Sequence, residues 1–301
     1  MESLDTFLYD GRMGRIGRFY CPPWHPRFSD SGPIHGYVIV FPRTSVTITH
    51  DGQLPIIGNP NVVMFYNQGQ RYTRGLLSEK GDMCDWFGFA PQLVIEALRP
   101  LDPYVDDRWE RPFTFSHGPS TSRLYLQQRL LVEALSQQTR PDLFFVEEKM
   151  LAILQEAIQA RYGRERPLPH KSTTTQKSHR DLVAEAKMIL STRFAEALSL
   201  ELLAQLLYTS PYHLCRIFRQ QTGQTIHDYL NQLRLHASLE LVAASDSSLT
   251  DLSLALGFAS HSHFSAAFRR AFGVPPSQLR PKSATTRSEE HTSELQSPCN
   301  L

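Results

Sequence analysis

The second half of the chain contains one sequence pattern twice. The segments YTSPYHLCRIFRQQTG, residues 208–223, and FASHSHFSAAFRRAFG, residues 258–273, align at an offset of 50 residues. The offset pairs Ser210 with Ser260, His213 with His263, Phe218 with Phe268, Arg219 with Arg269 and Gly223 with Gly273. At the same offset we pair Glu201, Leu202, Leu206 and Tyr208 with Asp251, Leu252, Leu256 and Phe258. Each copy reads as a short apolar helix, a turn and a second helix that ends at glycine, which predicts two helix-turn-helix units.

Residues 180–282 are predicted to be helical almost throughout. Ser248-Leu249-Thr250-Asp251 has the form of a capping box, and Gly257 suits a helix C-terminus that needs a left-handed backbone. We predict helices at roughly 181–193, 200–208, 211–221, 226–244, 249–256 and 261–272, with a short one after Pro275.

The second helix of each unit has one apolar face. Phe264, Phe268 and Phe272 recur every four residues and therefore share a side of their helix. The residues expected to face inward are Phe264, Phe268 and Phe272 on Leu252, Ala255 and Leu256, and in the earlier unit Leu214, Ile217 and Phe218. The other face of a lone unit would read as solvated surface, but its repetition favours a face that enters a DNA groove.

The opposite faces carry small, polar and basic side chains. Arg216 is the predicted guanine contact, because a fork of donors matches the two acceptors of guanine in the major groove. Arg219, Arg269 and Arg270 are predicted phosphate contacts. The full set of predicted DNA-binding residues is Ser210, Pro211, Tyr212, Cys215, Arg216, Arg219, Ser260, His261, Ser262, Ser265, Ala266, Arg269 and Arg270.

The helix predicted at 226–244 lies between the two units and can act as a spacer. Its 19 residues correspond to about 28 Å. One turn of DNA is about 34 Å. Two recognition helices held apart by such a rod could occupy successive major grooves, so one polypeptide could read two adjacent sites.

The first half is predicted to be mostly β. Short alternating runs between about residues 35 and 90 are separated by turn signals, of which Asp51-Gly52 is the strongest hairpin signal. Such closely spaced strands favour a sandwich or a small barrel.

Two amphipathic helices are predicted within residues 120–162. They can form a lid on the β part or a dimer interface, and the sequence does not divide their leucines between these roles. The leucines concerned are Leu124, Leu131, Leu135, Leu151 and Leu154.

These patterns divide the chain into four parts. Residues 1–162 form a β-rich sensor or dimerisation domain with two C-terminal helices, and 163–179 form a linker rich in Pro, Ser and Thr. Residues 180–282 form the DNA-binding domain. The polar, aperiodic residues 283–301 are expected to be a disordered, non-native tail.

Bulk composition excludes some classes but does not identify the function. The formal charge of +1 gives no global signal for nucleic acid, and residues 178–282 contain ten Lys and Arg against eight Asp and Glu. Four scattered cysteines suggest neither a disulfide framework nor a zinc site. Since no run reaches the roughly 18 apolar residues of a membrane span and no signal peptide is evident, a cytoplasmic protein is expected.

The C-terminal hundred residues resemble the AraC/XylS family of bacterial transcription regulators. The residues that match the family signature are Gly257-Phe258, Ser260, Ser262, Phe264-Ser265, Phe268, Arg269-Arg270, Phe272-Gly273, Pro275-Pro276, Leu279 and Arg280, with Tyr229, Arg234, Ala237 and Leu241 upstream. Two residues depart from the pattern. Ala266 stands where many members have a basic residue, and Cys215 where a longer polar side chain is common.

The resemblance implies an α+β multidomain protein. It implies an N-terminal cupin-like β-barrel with a helical pair, and an all-α C-terminal domain of seven helices with two helix-turn-helix motifs. Its implied partners are double-stranded promoter DNA, with RNA polymerase, a small-molecule effector and a second copy of the chain as further candidates. It implies a nucleoid-associated protein when bound to DNA.

The spacing of the histidines does not favour a metal site or an enzyme. His261 and His263 point about 200° apart on a helix, so they cannot hold one ion; His261 is a candidate DNA contact, and His263, like His213, is expected to be structural. A cupin enzyme would need a close His pair and a carboxylate, whereas His25, His35 and His50 form no His-x-His motif. No catalytic residue, cofactor or metal site is predicted.

The sequence therefore predicts a sequence-specific, effector-responsive transcription regulator, and it does not decide between an activator and a repressor. The alternative is a DNA-binding regulator without a small-molecule ligand, whose N-terminal domain serves only assembly.

Overall fold

The N-terminal part of the computed structural model contains nine strands in two sheets. The structure describes residues 4–30, 32–50, 52–137, 142–163, 173–244 and 247–280. The strands are β1 (Asp5–Gly11), β2 (Gly14–Cys21), β3 (Tyr37–Pro42), β4 (Val46–His50), β5 (Ile56–Gly58), β6 (Val62–Tyr66), β7 (Tyr72–Leu76), β8 (Asp82–Phe89) and β9 (His117–Pro119). The larger sheet has the order β1-β2-β8-β3-β6-β9, the smaller one β5-β4-β7, and every described pairing is antiparallel.

The two sheets remain open among the described residues. The α+β class is confirmed, but no hydrogen-bonded ladder joins the sheets, so the expected closed cupin-like barrel is not confirmed. The hairpin expected at Asp51-Gly52 is present as the β4–β5 pair.

The first hairpin, β1–β2, was missed by the sequence reading. Its segment contains many glycines and arginines and few β-branched residues, so it lacks the usual strand composition. Gly14 shows why a glycine is required there. Its φ is +150°, and a Cβ would lie 1.9 Å from the carbonyl oxygen of Gly88 on β8.

Nine α-helices follow or interrupt the strands in the described part of the chain. They are α1 (Pro91–Leu98), α2 (Ser122–Gln137), α3 (Leu143–Tyr162), α4 (Thr173–Thr192), α5 (Leu200–Leu206), α6 (Pro211–Thr222), α7 (Ile226–Ala244), α8 (Leu249–Ala255) and α9 (His261–Phe272). Short 3₁₀ turns lie at Asp106–Arg108 and Pro276–Leu279. None of these described helices is long and apolar enough to cross a bilayer.

Helices α1–α3 cover one face of the larger sheet. Four of the five leucines left between two roles are buried in the core beneath these helices, and Leu151 is half-buried. These side chains therefore serve the lid. Leu143 and Phe144 at the start of α3 are exposed.

The start of α4 corrects part of the predicted linker. Residues 173–179 lie in this helix, because it begins at Thr173 rather than near residue 181. Residues 164–172 of the linker and the predicted tail from 283 onward lie outside the described residues.

The two predicted units belong to different hydrophobic clusters. The first unit packs Leu203, Leu214 and Phe218 with α4 and α7 in a cluster of its own. The second unit's Phe264 and Phe268 belong to the same cluster as the N-terminal sheet and helices. One half of the C-terminal region is thus self-contained, and the other shares its core with the N-terminal part.

Helix α7 joins the two clusters and has the predicted bounds. Tyr229 and Leu233 near its start pack in the first unit's cluster. Leu239 and Val242 near its end pack in the shared cluster. The helix therefore fixes both units to one rod.

Candidate nucleic-acid interface

The two units match at two different offsets. Helices α6 and α9 correspond at the predicted offset of 50 residues. Helices α5 and α8 correspond at 49, because Ser199 and Ser248 cap them and their bounds shift by that number. Our pairing of residues 201–208 with 251–258 is therefore wrong by one residue. The second unit has one more residue in its turn.

The extra residue changes which residue makes the turn. In the first unit Tyr208 takes the left-handed conformation, with φ of 49°, and the next residue, Thr209, donates its N–H to Ala204. In the second unit Gly257 takes it, with φ of 81°, and Phe258 donates to Ser253. The aromatic residues expected to correspond thus have different roles: Tyr208 is 98% exposed and Phe258 is 3% exposed.

Gly257 also allows a close contact with helix α7. A Cβ there would lie 2.8 Å from the carbonyl oxygen of Ala195 and from Nη2 of Arg234. The Arg234 guanidinium donates to the carbonyl oxygens of Phe194, at 2.7 Å, and Glu196, at 3.0 Å. One arginine therefore ties the loop before α5 to the turn of the second unit.

Helix α6 is capped at both ends. The Ser210 hydroxyl accepts from the N–H of His213 at 3.2 Å, Pro211 occupies the first turn, and Gly223 ends the helix with φ of 75°. Its predicted inward residues Leu214, Ile217 and Phe218 are all fully buried. The predicted outward residues Tyr212, Cys215, Arg216 and Arg219 are exposed, and Pro211 is half-buried.

Helix α9 repeats this arrangement. Ser260 accepts from the N–H of His263 at 3.2 Å, and Gly273 ends the helix with φ of 80°. Phe264, Phe268 and Phe272 are buried and stack edge-on at 5.6 and 4.6 Å between successive ring centroids.

The outward residues of α9 are less uniformly exposed than those of α6. Ser262, Ala266, Arg269 and Arg270 are exposed, and His261 and Ser265 are half-buried. Ser265 Oγ lies 3.1 Å from His261 Nε2. Leu252 and Leu256 are buried beneath the phenylalanines as expected, whereas Ala255, expected with them, is exposed.

The two repeated histidines contact aromatic rings. His213 lies edge-on to His179 with centroids 5.6 Å apart, and its Nδ1 is 3.4 Å from Arg216 Nη2. His263 lies edge-on to Phe258 at 5.7 Å. Within the described ranges, no group of three or more His, Cys, Asp or Glu is placed to hold a metal ion.

The outward arginines differ electrostatically from those elsewhere in the chain. Within the described part of the chain, no ion pair involves Arg216, Arg219, Arg269 or Arg270. Their positive charge is therefore available to a phosphate backbone. Ser210 and Ser260 cap the N-termini of the two helices, where the helix dipole also favours anions.

An ionic cluster connects the larger sheet to helix α7. Asp85 on β8 is fully buried, and its carboxylate accepts from Arg129 of α2 at 2.7 Å. Arg129 and Arg43 both pair with Glu240 of α7, through their Nε atoms at 3.0 Å. Burial alone would lower the pKa of Arg129, but Asp85 and Glu240 raise it above its usual value.

Uncharged side chains also connect the N-terminal part to helices α4 and α7. Asn59 donates to Ser191 Oγ at 2.7 Å and to Tyr229 Oη at 2.6 Å. The ring of His236 on α7 stacks on Tyr125 of α2, with centroids 4.3 Å apart. Burial lowers the pKa of His236 to about 3, so this ring is neutral at physiological pH. The C-terminal helices are thus docked on the N-terminal part by polar and stacking contacts.

A cavity of about 810 Å³ lies between the two sheets. Val38, Ile48 and Met64 contribute apolar side chains to its lining, and Arg12 and His35 contribute polar ones. Strand β8 contributes Cys84 and Trp86, the neighbours of Asp85. Because side chains alternate along a strand, β8 faces the cavity with one side and the ionic cluster with the other.

Comparison with known proteins places the C-terminal segment. The family model described as a helix-turn-helix domain matches residues 203–282. The transcriptional activator RhaS of Escherichia fergusonii is 43% identical over 91 residues, which are 30% of this chain and 33% of RhaS. The bifunctional transcriptional activator and DNA repair enzyme AdaA of Bacillus subtilis is 31% identical over 100 residues, which are 33% of this chain and 46% of AdaA. The chain thus spans less than half the length of these relatives.

Solved structures were also found. ToxT from Vibrio cholerae covers 89% of this chain, and 97% of its own, at 11% identity and a TM-score of 0.35. The C-terminal domain of the response regulator AraT from Geobacillus stearothermophilus covers 36% of this chain, and 94% of its own, at 28% identity and a TM-score of 0.32.

Proposed function

Because residues 203–282 form a helix-turn-helix domain of the AraC family, we propose that this chain is a sequence-specific transcription regulator that binds double-stranded DNA through α6 and α9. One observation carries the proposal most directly. Two capped helices each bury an apolar face and expose an opposite face whose arginines make no ion pair within the described residues. Such a face suits insertion into a major groove.

The outward residues divide into base-reading and phosphate-binding groups in this proposal. Arg216, exposed in the middle of α6, contacts a guanine, and Arg219, Arg269 and Arg270 contact phosphates. Ser210 and Ser260 contribute mainly as helix caps and present the N-termini to the backbone. The remaining outward residues Pro211, Tyr212, Cys215, His261, Ser262, Ser265 and Ala266 line the groove.

The N-terminal part, residues 1–162, is proposed to sense an effector in the cavity between the sheets and to be related to cupin-like barrels. Strand β8 supports this role, since it lines the cavity with Cys84 and Trp86 and holds Asp85 against Arg129. An occupant that shifts β8 would alter the ionic cluster at Glu240. Helix α7, which carries Glu240, sets the positions of both units.

Activation through RNA polymerase and dimerisation through α2 and α3 complete the proposal. Two of the relatives above carry names of transcriptional activators, and the exposed Leu143 and Phe144 offer an apolar patch near the α2–α3 connection. The proposed site of action is chromosomal DNA in the cytoplasm. No catalytic activity is proposed.

The direct test is DNA binding by the full chain. A duplex is first selected from a random-sequence library by the full-length protein and then titrated in a mobility-shift experiment at about 0.1 M salt, where electrostatic attraction alone is weakened. We expect the selected duplex to bind at least tenfold more tightly than a scrambled duplex of the same composition. Equal affinities would contradict sequence-specific regulation.

The effector is tested separately by thermal unfolding against a panel of metabolites. A molecule that binds the folded state raises the midpoint by mass action. Its binding must also be lost when Trp86, which lines the cavity, is replaced by alanine. If no molecule in a broad panel shifts the midpoint while the selected duplex still binds, the N-terminal domain serves assembly rather than sensing.

A further inference from the structure

The turn of the first unit exposes an aromatic ring that the fold does not use. Tyr208 is 98% exposed, whereas the aromatic residue in the second turn, Phe258, is buried against Phe264 and His263. The core of the first unit is filled by Leu203, Leu207 and Phe218. Tyr208 is therefore not needed for packing.

The backbone at Tyr208 is also unfavourable. It is the one non-glycine residue with positive φ in the described part of the chain, at 49°. The left-handed region is disfavoured for an L-residue, because Cβ crowds the following carbonyl oxygen. The structurally equivalent residue of the second unit is Gly257, which has no such conflict. An exposed ring held in a strained turn indicates a contact outside the chain.

The position of Tyr208 indicates which partner it meets. It lies two residues before Ser210, the cap of α6, so their Cα atoms are at most about 7 Å apart. Tyr212 in the first turn of α6 is 80% exposed on the other side of this cap. In helix-turn-helix proteins the N-terminal end of this helix enters the groove, and the flanking backbone passes beside it. Hydroxyl groups of tyrosine commonly donate to phosphate oxygens there.

We propose that Tyr208 is a DNA-contacting residue whose hydroxyl donates a hydrogen bond to a phosphate beside the groove that α6 occupies. This inference rests on the proposed function above. The second unit has no equivalent contact, because the residue in the equivalent position is Gly257, which has no side chain, and the neighbouring Phe258 is buried and lacks a hydroxyl group. The two units therefore hold DNA unequally, with an extra neutral anchor on the first.

Two variants test the role of Tyr208 on the duplex selected by the full-length chain. Tyr208→Phe keeps the ring and the backbone conformation, and we expect it to weaken binding about three- to tenfold with an unchanged Tm. Tyr208→Gly is expected to weaken binding at least as much, yet to raise the Tm by about 3 °C, because glycine accepts the left-handed conformation. Replacing a residue with a purely structural role would not weaken DNA binding while raising the Tm. Tyr104→Phe, at a 64% exposed residue of the N-terminal part, is the matched control.

The salt dependence separates this anchor from the arginines. A neutral donor releases no counterion, so Tyr208→Phe should leave the slope of log affinity against log salt unchanged, while Arg270→Ala should reduce it by about one. If both Tyr208 variants bind like the wild type while Arg270→Ala binds more weakly, the inference is wrong and the proposed function stands. Unchanged DNA affinity with reduced transcription would assign Tyr208 to a protein partner and also overturn it. A wild-type chain that selects no duplex would overturn both.

Discussion

At the residue scale, the outward arginines of α6 and α9 occupy different parts of their helices. Arg216 lies in the middle of α6, beside His213, whereas Arg269 and Arg270 lie in the last turn of α9. A central position can approach base edges, and a terminal position approaches the backbone. The chemistry of the side chain is the same, so we expect its position on the helix to decide whether it contacts a base or a phosphate.

This division of roles predicts two different binding defects. Arg216→Ala should lower affinity for the selected duplex by about 1–3 kcal/mol and relax base preference at one position, because a bidentate guanine contact is lost. Arg270→Ala should weaken binding to selected and scrambled duplexes equally. Competition binding against single-base variants of the duplex measures both effects. Identical profiles for the two variants would contradict the division.

At the element scale, the turn between α8 and α9 depends on Gly257. Its left-handed backbone is required by the helix end, and the space for a Cβ is already occupied by the carbonyl oxygen of Ala195. Gly223, at the end of α6, has a similar φ of 75° but open space around it. The pair separates conformational strain from steric conflict.

We expect Gly257→Ala to lower the free energy of unfolding by about 2 kcal/mol or more, since strain and displacement of neighbouring backbone add. Gly223→Ala should lower it by about 1 kcal/mol from strain alone. Denaturant unfolding of the full chain measures both values. A Gly223 variant as unstable as the Gly257 variant would show that the contact with Ala195 does not matter.

The elements also show how far sequence reasoning reaches. Helices α6, α7 and α9 were placed within a residue or so, because caps, glycines and apolar spacing all agree there. The first helices were paired one residue out of register, because Tyr208 and Phe258 look equivalent and only the backbone shows that one is a turn residue and the other core. The signal that could have corrected this is the pair of caps, Ser199 and Ser248, at an offset of 49.

Other parts of the molecule were beyond a local pattern. The ionic cluster of Asp85, Arg129 and Glu240 joins residues far apart in sequence, and no spacing rule brings them together. The first hairpin pairs β1 with β2 and was missed because its segment contains many glycines and arginines and few β-branched residues. The DNA-contacting roles of the outward residues remain predictions.

At the scale of the whole molecule, Asp85 is the buried counter-charge for several arginines. Its carboxylate lies within ion-pair distance of Arg18, Arg43 and Arg129, which come from β2, the end of β3 and α2. Asp85→Asn would remove the buried negative charge with which these arginines pair. We expect the free energy of unfolding to fall by about 3–5 kcal/mol, as for other broken buried pairs.

The matched control for this prediction is Asp10→Asn. Asp10 pairs with Arg15 at 3.2 Å, but both side chains are more than half exposed. A pair of that kind contributes little, so we expect a change below about 1 kcal/mol. Equal losses for the two variants in denaturant unfolding would mean that the buried cluster does not hold the sheet to the helices.

The contact between α2 and α7 should make stability depend on pH. Burial lowers the pKa of His236 in the folded chain to about 3. The unfolded chain therefore binds a proton at this histidine as the pH falls through about 6.5, whereas the folded chain binds it only near pH 3. The stability that comes from keeping His236 neutral in the folded chain is fully present above pH 6.5 and is lost as the pH falls below that value. Between pH 7 and pH 5 it should remove about 2 kcal/mol of stability.

The variant His236→Phe should keep the stack on Tyr125 and lose the proton-linked part. Unfolding titrations of wild type and variant at pH 7 and pH 5 measure the difference between their pH slopes. Parallel slopes would show that His236 does not carry the acid sensitivity.

The shared core has a consequence for the order in which the chain can be completed during synthesis. Phe264 and Phe268 of α9 leave the ribosome more than a hundred residues after Leu124 and Leu131 of α2, yet all four side chains belong to one cluster. The apolar surface of the N-terminal part that α9 covers therefore remains exposed until α9 has been synthesised. A chain truncated before α9 can still form the core of its first unit, but its N-terminal helices remain exposed to chaperones and proteases.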